Sequence, residues 1–424
     1  MTASVRVVAA AAGAAATAIV LRRRPHLFLR PSFAVLGCFK IAAQLVELWW
    51  RLRTEKVKER ETARRQATEF AALLKELPKL TEPWAARLRR KSDRWQGRGI
   101  VVVAGGERYG MLAVSLVDSL RSCGCTLPIE IFYLGSHELK CSTMKSLAAR
   151  ERCTLRDLLA GQPTLRDVQG FGYAAKPLAL AASSFAEVLL LDADIIALRD
   201  PSFLFDEVSY LTHGAVFWSD MYAANETFVR LYDPRDVRLR PSMLERAVQD
   251  ALDAWLVKPV RMKPDFVPAL STIGLPPDAP THESGQVLMD KRRCVDALAA
   301  AGLLNSNTHR PLVYAGLHGD KDTFRTAFAA TSTAFHHVPH RPALGGHVDS
   351  ITGVFQDTCF IQPDLSPSAA PLFLHYCGRH RNNDDERRVR LPTAFMSARG
   401  RPFRLWPHDG RRGYMGGTVR PFQF

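Results

Sequence analysis

This 424-residue chain lacks several signatures, and each absence closes off a class of function. No Gly-X-Gly-X-X-Gly run follows any of its apolar segments, so the dinucleotide-binding fingerprint is missing. Cysteine is sparse. Its eight residues, from Cys38 through the close pair Cys123 and Cys125 to Cys377, have none of the spacings of a metal site. One or two disulfides could form among them in a secretory lumen, but spacing does not settle the pairing. Neither zinc-finger spacing nor an aromatic RNA-stacking motif accompanies the net charge of +15. The basic excess is therefore not read as a nucleic-acid footprint, and no nucleic-acid partner is expected. Long disordered tracts are not expected either, because 47% hydrophobic and 23% charged residues are ordinary globular proportions.

The positive charge is concentrated at Arg22–Arg24, Arg51–Lys58, Arg87–Arg94 and Arg387–Arg401. Clusters of this kind flank membrane segments or attract phosphorylated ligands. Two apolar stretches, residues 7–21 and 33–50, lie on either side of the first cluster. As a helix the second would be about 27 Å long, close to a bilayer core, and it ends in Trp49-Trp50, an interfacial pair. Residues 1–50 are thus expected to form a tail and single-pass membrane anchor, with either stretch as the span. Residues 51–95 carry Arg, Lys and Glu with apolar residues at Val57, Phe70, Leu73, Leu74 and Leu77. They are expected to be a helical stem, interrupted at Pro78 and Pro83.

From residue 96 to 424 the texture is that of an α/β domain with a basic C-terminal extension. Gly99–Ala104 predicts a strand, Gly105-Gly106 a loop, Tyr109–Ser122 a helix and Ile129–Leu134 a second strand. This order specifies a parallel sheet, whose ligands bind at the carboxyl ends of the strands. A further helix opening at Gly172 carries Lys176 as its one cation. That lysine could neutralise a diphosphate or could simply reach the surface.

The run Glu187-Val-Leu-Leu-Leu-Asp-Ala-Asp-Ile-Ile-Ala-Leu-Arg-Asp-Pro201 organises the domain. Val188–Leu191 predicts a strand buried on both faces, running directly into Asp192 and Asp194. Two carboxylates at the end of a buried strand are costly without a cation beside them. Spaced by two in an extended chain, they point the same way and suit a divalent ion with hard oxygen ligands. Downstream come Phe217-Trp-Ser-Asp220, a proline-rich loop region near 230–280, Glu283-Ser-Gly-Gln286 with Asp290-Lys291, and Gly319-Asp-Lys-Asp-Thr-Phe-Arg325. A reaction centre that develops positive charge needs a carboxylate or carbonyl close to it, with donors aimed at neighbouring hydroxyls. Glu283, Gln286, Asp320 and Asp322 could supply these, although Glu283 could cap a helix and the two aspartates could begin one.

In this order, these segments resemble the fungal-type α-mannosyltransferases that extend N-glycan and cell-wall mannan chains, over about Gly99 to Gly378. Ser219 stands where that family usually has proline. The resemblance implies a GT-A-like, Rossmann-type mixed sheet flanked by helices. It also implies GDP-mannose as donor, a divalent metal (usually Mn2+), retention at the anomeric carbon, and single-pass type II placement in the Golgi membrane. The partners would be a nucleotide-sugar donor, a mannose-containing glycan acceptor and the membrane, through the N-terminal anchor. Asp192 and Asp194 would hold the metal, with Asp192 a candidate for the ribose as well. A late histidine completes such sites in similar enzymes, and His375 is preferred over His336, His337 and His347. Glu283, Asp320 and Asp322 become catalytic candidates, Lys176, Gln286 and Lys321 donor-binding candidates, and Asp220 an acceptor contact. The same motifs leave room for a UDP-sugar donor, or for a silent glycan-binding protein on the same fold.

Overall fold

The structure, a computed structural model, describes residues 31–160, 172–223, 264–275, 280–317, 319–348, 355–376, 394–396 and 402–403, with side chains from residue 57 onward except at 221–223, 264, 280–281, 344, 347–348, 355–358, 394–396 and 402–403. The chain separates into two units, residues 1–65 and 66–424. The expected anchor stretch 7–21 lies outside the described residues. In the stretch 33–50 the backbone is helical, but the side chains lie outside the description. Among the described residues no helix is long and apolar enough to cross a membrane.

A single helix, α1, runs from Pro31 to Lys91 with Pro78 and Pro83 inside it. The expected interruption at these prolines does not occur, and the reason lies in the larger unit. Ala67, Phe70, Leu73, Leu74, Leu77, Ala85 and Leu88 recur at helical spacing and are all buried in the same core as the sheet. Phe70 packs on Phe266 with ring centres 5.3 Å apart. A proline inside a helix costs about 3 kcal/mol. Each large apolar side chain buried here returns about 1.5–3 kcal/mol, so the stripe outweighs the two breaks. Thr81, buried in the same stripe, donates its hydroxyl to the carbonyls of Leu77 (2.9 Å) and Pro78 (3.0 Å), beside the peptide that lacks an N–H.

The larger sheet is built from β1 (Arg98–Val103), β2 (Ile129–Tyr133), β3 (Cys153–Asp157), β4 (Glu187–Asp192), β6 (Ala215–Ala223), β7 (Pro280–Asp290) and β8 (His336–His337). Its order is β3-β2-β1-β4-β7-β6-β8. The first four strands are parallel, as the strand–helix–strand order requires, and β7 enters antiparallel between β4 and β6. This is a mixed α/β fold with a parallel-rich sheet.

The apolar run of β4 is buried on both faces. Val188 and Leu190 pack with Leu178 of α3 (Lys176–Ala182), Leu298 of α4 (Val295–Leu304) and Phe324 of α5 (Lys321–Ala330). Leu189 and Leu191 pack instead with Leu116, Val117 and Leu120 of α2 (Gly106–Ser122).

A second, antiparallel sheet contains β5 (Ile195–Ala197), β9 (Ala343–Val348), β10 (Phe355–Pro363), β11 (Pro371–His375), β12 (Ala394–Met396) and β13 (Pro402–Phe403), in the order β13-β12-β9-β10-β11-β5. The chain passes from the first sheet to the second at Asp192-Ala193-Asp194, between β4 and β5. The six described cysteines, Cys123, Cys125, Cys141, Cys153, Cys294 and Cys359, are all free thiols.

Candidate active site

Backbone pairing places the acidic pair. Asp192 ends β4 beside Val103, at the carboxyl edge of the parallel strands. Asp194 lies just before β5, which pairs antiparallel with β11 so that Ile195 faces His375. The Tyr376 amide donates to the Asp194 carbonyl at 3.2 Å, closing that pairing next to the site. A residue 181 positions downstream of Asp194 is thereby brought beside it. His375 Nε2 is 3.3 Å from Asp194 Oδ1 and 3.9 Å from Asp192 Oδ2. One ligand atom from each of Asp192, Asp194 and His375 lies within 4.8 Å of the others. Two ligands at about 2.1 Å from a hard dication can be at most about 4.2 Å apart, so this trio needs little adjustment to hold one. Mixed oxygen and imidazole ligation also suits such an ion.

Lys176, at the start of α3, is buried against the same pair. Its ammonium lies 2.8 Å from Asp192 Oδ1 and 3.1 Å from Asp320 Oδ2, and donates to Ser284 Oγ at 3.1 Å. Burial pulls the Lys176 pKa down, but the Asp192 and Asp320 carboxylates outweigh it and hold the group firmly protonated. Asp192 is pushed up to about 6, first by burial and then by Asp194 and Asp320, against the opposing pull of Lys176 and His375. The acidic groups Asp192, Asp194, Glu283 and Asp320 meet one buried ammonium here, and a cationic ligand would relieve the imbalance.

The middle of β7 supplies the remaining wall. Its pairing with β6 shifts register between Phe217 and Trp218, so that Trp218 faces Glu283 and Phe217 faces Val287. Such a bulge re-aims side chains. Glu283 Oε1 accepts from the Gly285 amide at 2.8 Å and lies 3.8 Å from His375 Nδ1. Gln286 is fully buried beside Leu191, and neither amide atom has a hydrogen-bond partner among the described residues.

Asp320 stands at the N-terminal boundary of α5 without capping it, and its carboxylate faces Lys176 and accepts from Ser284 Oγ at 2.8 Å. Lys321 pairs with Asp220. Burial draws Lys321 down, but Asp220, Glu283 and Asp322 together raise it above its ordinary range. Asp322 turns elsewhere, to Arg325 at 3.3 Å and the His282 amide at 3.4 Å, both buried. The structure thus joins Lys176, Asp192, Asp194, Glu283, Asp320 and His375, with Asp220 and Lys321 as a linked second pair and Asp322 turned into the packing.

Ser284 and Gly285 were not singled out by sequence reasoning. Ser284 lay inside the quoted motif without a role, although it bridges Lys176 and Asp320. The importance of Gly285 depends on a ring from another sheet and has no local signal.

Residues 97–364 match the family described as "Mannosyltransferase putative". The chain belongs to this family. Among relatives, this family member is 29% identical over 279 residues to the alpha-1,2-mannosyltransferase MNN21 of Candida albicans, covering 62% of this chain and 42% of that protein. It is 29% identical over 266 residues to the alpha-1,2-mannosyltransferase MNN2 of Saccharomyces cerevisiae, covering 60% and 44%. The chain therefore spans less than half the length of these relatives. Among solved structures, the galactosyltransferase LgtC in complex with donor and acceptor sugar analogues aligns at 13% identity, covering 56% of this chain and 73% of that chain, with a TM-score of 0.34.

Proposed function

We propose that this mannosyltransferase-family chain is a metal-dependent, retaining glycosyltransferase of GT-A type that moves mannose from GDP-mannose to a mannose-containing glycan. The observation that carries the reading is the meeting of Asp192, Asp194 and His375 at the carboxyl edge of the parallel strands. Asp192, Asp194 and His375 would hold the ion, Mn2+ in this reading. When bound, it would act as a Lewis acid on the departing diphosphate.

The protein's own groups would do the rest. Lys176, held charged, would exchange part of its hold on Asp192 for the donor diphosphate. Glu283 and Asp320 would face the anomeric carbon, where positive charge develops. The Gln286 amide, without a hydrogen-bond partner among the described residues, would meet sugar hydroxyls, and Asp220, tethered by Lys321, would orient the acceptor; Lys321 would add to donor binding. Asp322 would act through α5, which carries Asp320. Residues 1–50 would anchor the enzyme in the Golgi membrane as a single-pass type II protein, with the helix through 51–95 as a stem whose residues 67–88 pack into the core of the catalytic domain, 96–424.

The test is a panel of GDP- and UDP-sugars with α-mannose oligosaccharides, with and without Mn2+. Transfer from GDP-mannose that depends on metal and falls by orders of magnitude in Asp194→Ala is expected. Absence of turnover or hydrolysis with every donor and metal would overturn the enzyme reading, and an undiminished Asp194→Ala would overturn the metal assignment.

A further inference from the structure

Tyr173 is a large side chain left 43% exposed, three residues before Lys176. Its ring is held from beneath. Tyr314 stacks against it, with centres 6.0 Å apart and planes 27° from parallel. The Tyr314 hydroxyl donates to Asn305 Oδ1 at 2.5 Å, and Asn305 Nδ2 donates to the Ala301 carbonyl and to Thr323 Oγ1, both at 2.8 Å. Thr323 Oγ1 in turn donates to the Asp320 carbonyl. The stack is thus fastened to the turn that presents the Asp320 carboxylate. The Tyr173 ring borders that turn: its Cε2 lies 3.9 Å from where a Cβ of Gly319 would stand, and Gly319 adopts a φ of +66° that favours glycine. Burial first, and then Asp320 and Tyr173, raise the Tyr314 pKa well above its ordinary range, so its hydroxyl keeps its proton for Asn305.

An aromatic face fixed in position costs little ordering entropy when a ligand lands on it. Here the ring borders the Gly319-Asp320 turn, whose carboxylate in turn meets Lys176 and Ser284, groups that can bond to hydroxyls. Together they match the two kinds of surface on a pyranose, an apolar C–H face and a rim of hydroxyls. We propose that Tyr173 is the stacking platform for a pyranose ring at this site, with Tyr314 as its positioning residue. The inference rests on the glycosyltransferase reading for which substrate supplies the ring, the donor's sugar or the acceptor's terminal sugar.

The full chain carrying Tyr173→Ala, Tyr173→Phe or Tyr314→Phe would be compared with wild type in three arms. These are hydrolysis of GDP-mannose without acceptor, transfer to an α-mannose oligosaccharide, and direct titration with GDP alone. Tyr173→Ala is expected to raise KM about tenfold, the scale of one lost aromatic contact, and Tyr173→Phe to restore it. A rise in the hydrolysis arm assigns the platform to the donor's sugar, and a rise confined to the acceptor assigns it to the acceptor. Tyr314→Phe, which keeps the stack but frees the ring from Asn305, is expected to raise the same KM to a smaller extent without lowering kcat. Equal weakening for GDP alone would mean the face carries the nucleobase and would overturn the proposal, as would unchanged constants in every arm. If wild type turns over no donor, the transferase reading fails. The platform is then decided by a separate titration of Tyr173→Trp fluorescence with the α-mannose oligosaccharide and with GDP-mannose, where no response to either overturns it.

Discussion

A Cβ placed on Gly285 would stand 2.6 Å from Cε1 and 2.7 Å from Nδ1 of His375. Real side chains do not approach so closely, so the ring occupies its place between Asp194 and Glu283 only because residue 285 has no side chain. Gly285→Ala should push the imidazole away from the acidic pair while leaving the sheet intact. Calorimetric titration with Mn2+ should show affinity reduced by at least about tenfold, the scale for disturbing the surroundings of a ligand. Circular dichroism should be unchanged. Wild-type affinity in this variant would remove His375 from the ligand set.

Asp320 and Asp322 are two residues apart and predict opposite outcomes. Asp320 faces Lys176 and Ser284 at the site, whereas Asp322 pairs with buried Arg325. Asp320→Asn should lower turnover by about 100-fold or more, the scale of removing one group that stabilises developing charge, with a smaller loss of stability than Asp322→Asn because Lys176 keeps its pairing with Asp192. Asp322→Asn should instead lower stability by about 3 kcal/mol, as expected when one partner of a buried pair is removed. Urea melts combined with initial rates separate the two. A destabilised Asp320→Asn with normal specific activity would reverse the assignment.

Helix α1 offers a test of packing against propensity. Leu77 is fully buried and immediately precedes Pro78. Leu77→Ala should cost about 2–5 kcal/mol by leaving a cavity. Pro78→Ala should be neutral or stabilising, since the exposed proline contributes no N–H to the helix. A loss of less than about 1 kcal/mol for Leu77→Ala in a urea melt would mean that this helix is not part of the core.

These contrasts mark what was legible in the sequence. Val188–Leu191 announced a doubly buried strand because every position was apolar, and Asp192 and Asp194 stood out because carboxylates seldom follow such a run without a cation. The strand–helix–strand order required the parallel half of the sheet. Pro78 and Pro83 misled because local propensity shows nothing of the surface on which Phe70, Leu74 and Leu77 are buried. Asp320 and Asp322 were indistinguishable in the motif, and only the rotation of α5 against β7 separates them. Gly285 was silent because its constraint comes from β11, a strand of the other sheet, about ninety residues further along.

Lys291 provides a test that is independent of catalysis. It is fully buried, and its ammonium donates to the carbonyls of Leu180 (3.0 Å) and Ser183 (2.8 Å) at the far end of α3 from Lys176. The ammonium also lies 4.1 Å from the centre of the Trp95 ring. Burial pulls its pKa down to about 7, with Glu130 opposing and Arg292 assisting. An unfolded lysine titrates near 10.4, so between about pH 7 and 10.4 the unfolded chain binds a proton that the folded chain lacks. Stability from this group therefore rises with pH across that window, by up to about 1.4 kcal/mol per pH unit, and the cost of burying the charge is fully present below it. Lys291→Met abolishes this dependence. The stability of the variant relative to wild type, measured by urea melts, should fall by about 2 kcal/mol between pH 7 and pH 9. A difference that stays flat across the window would mean that the two carbonyls and the indole keep the ammonium charged despite its burial.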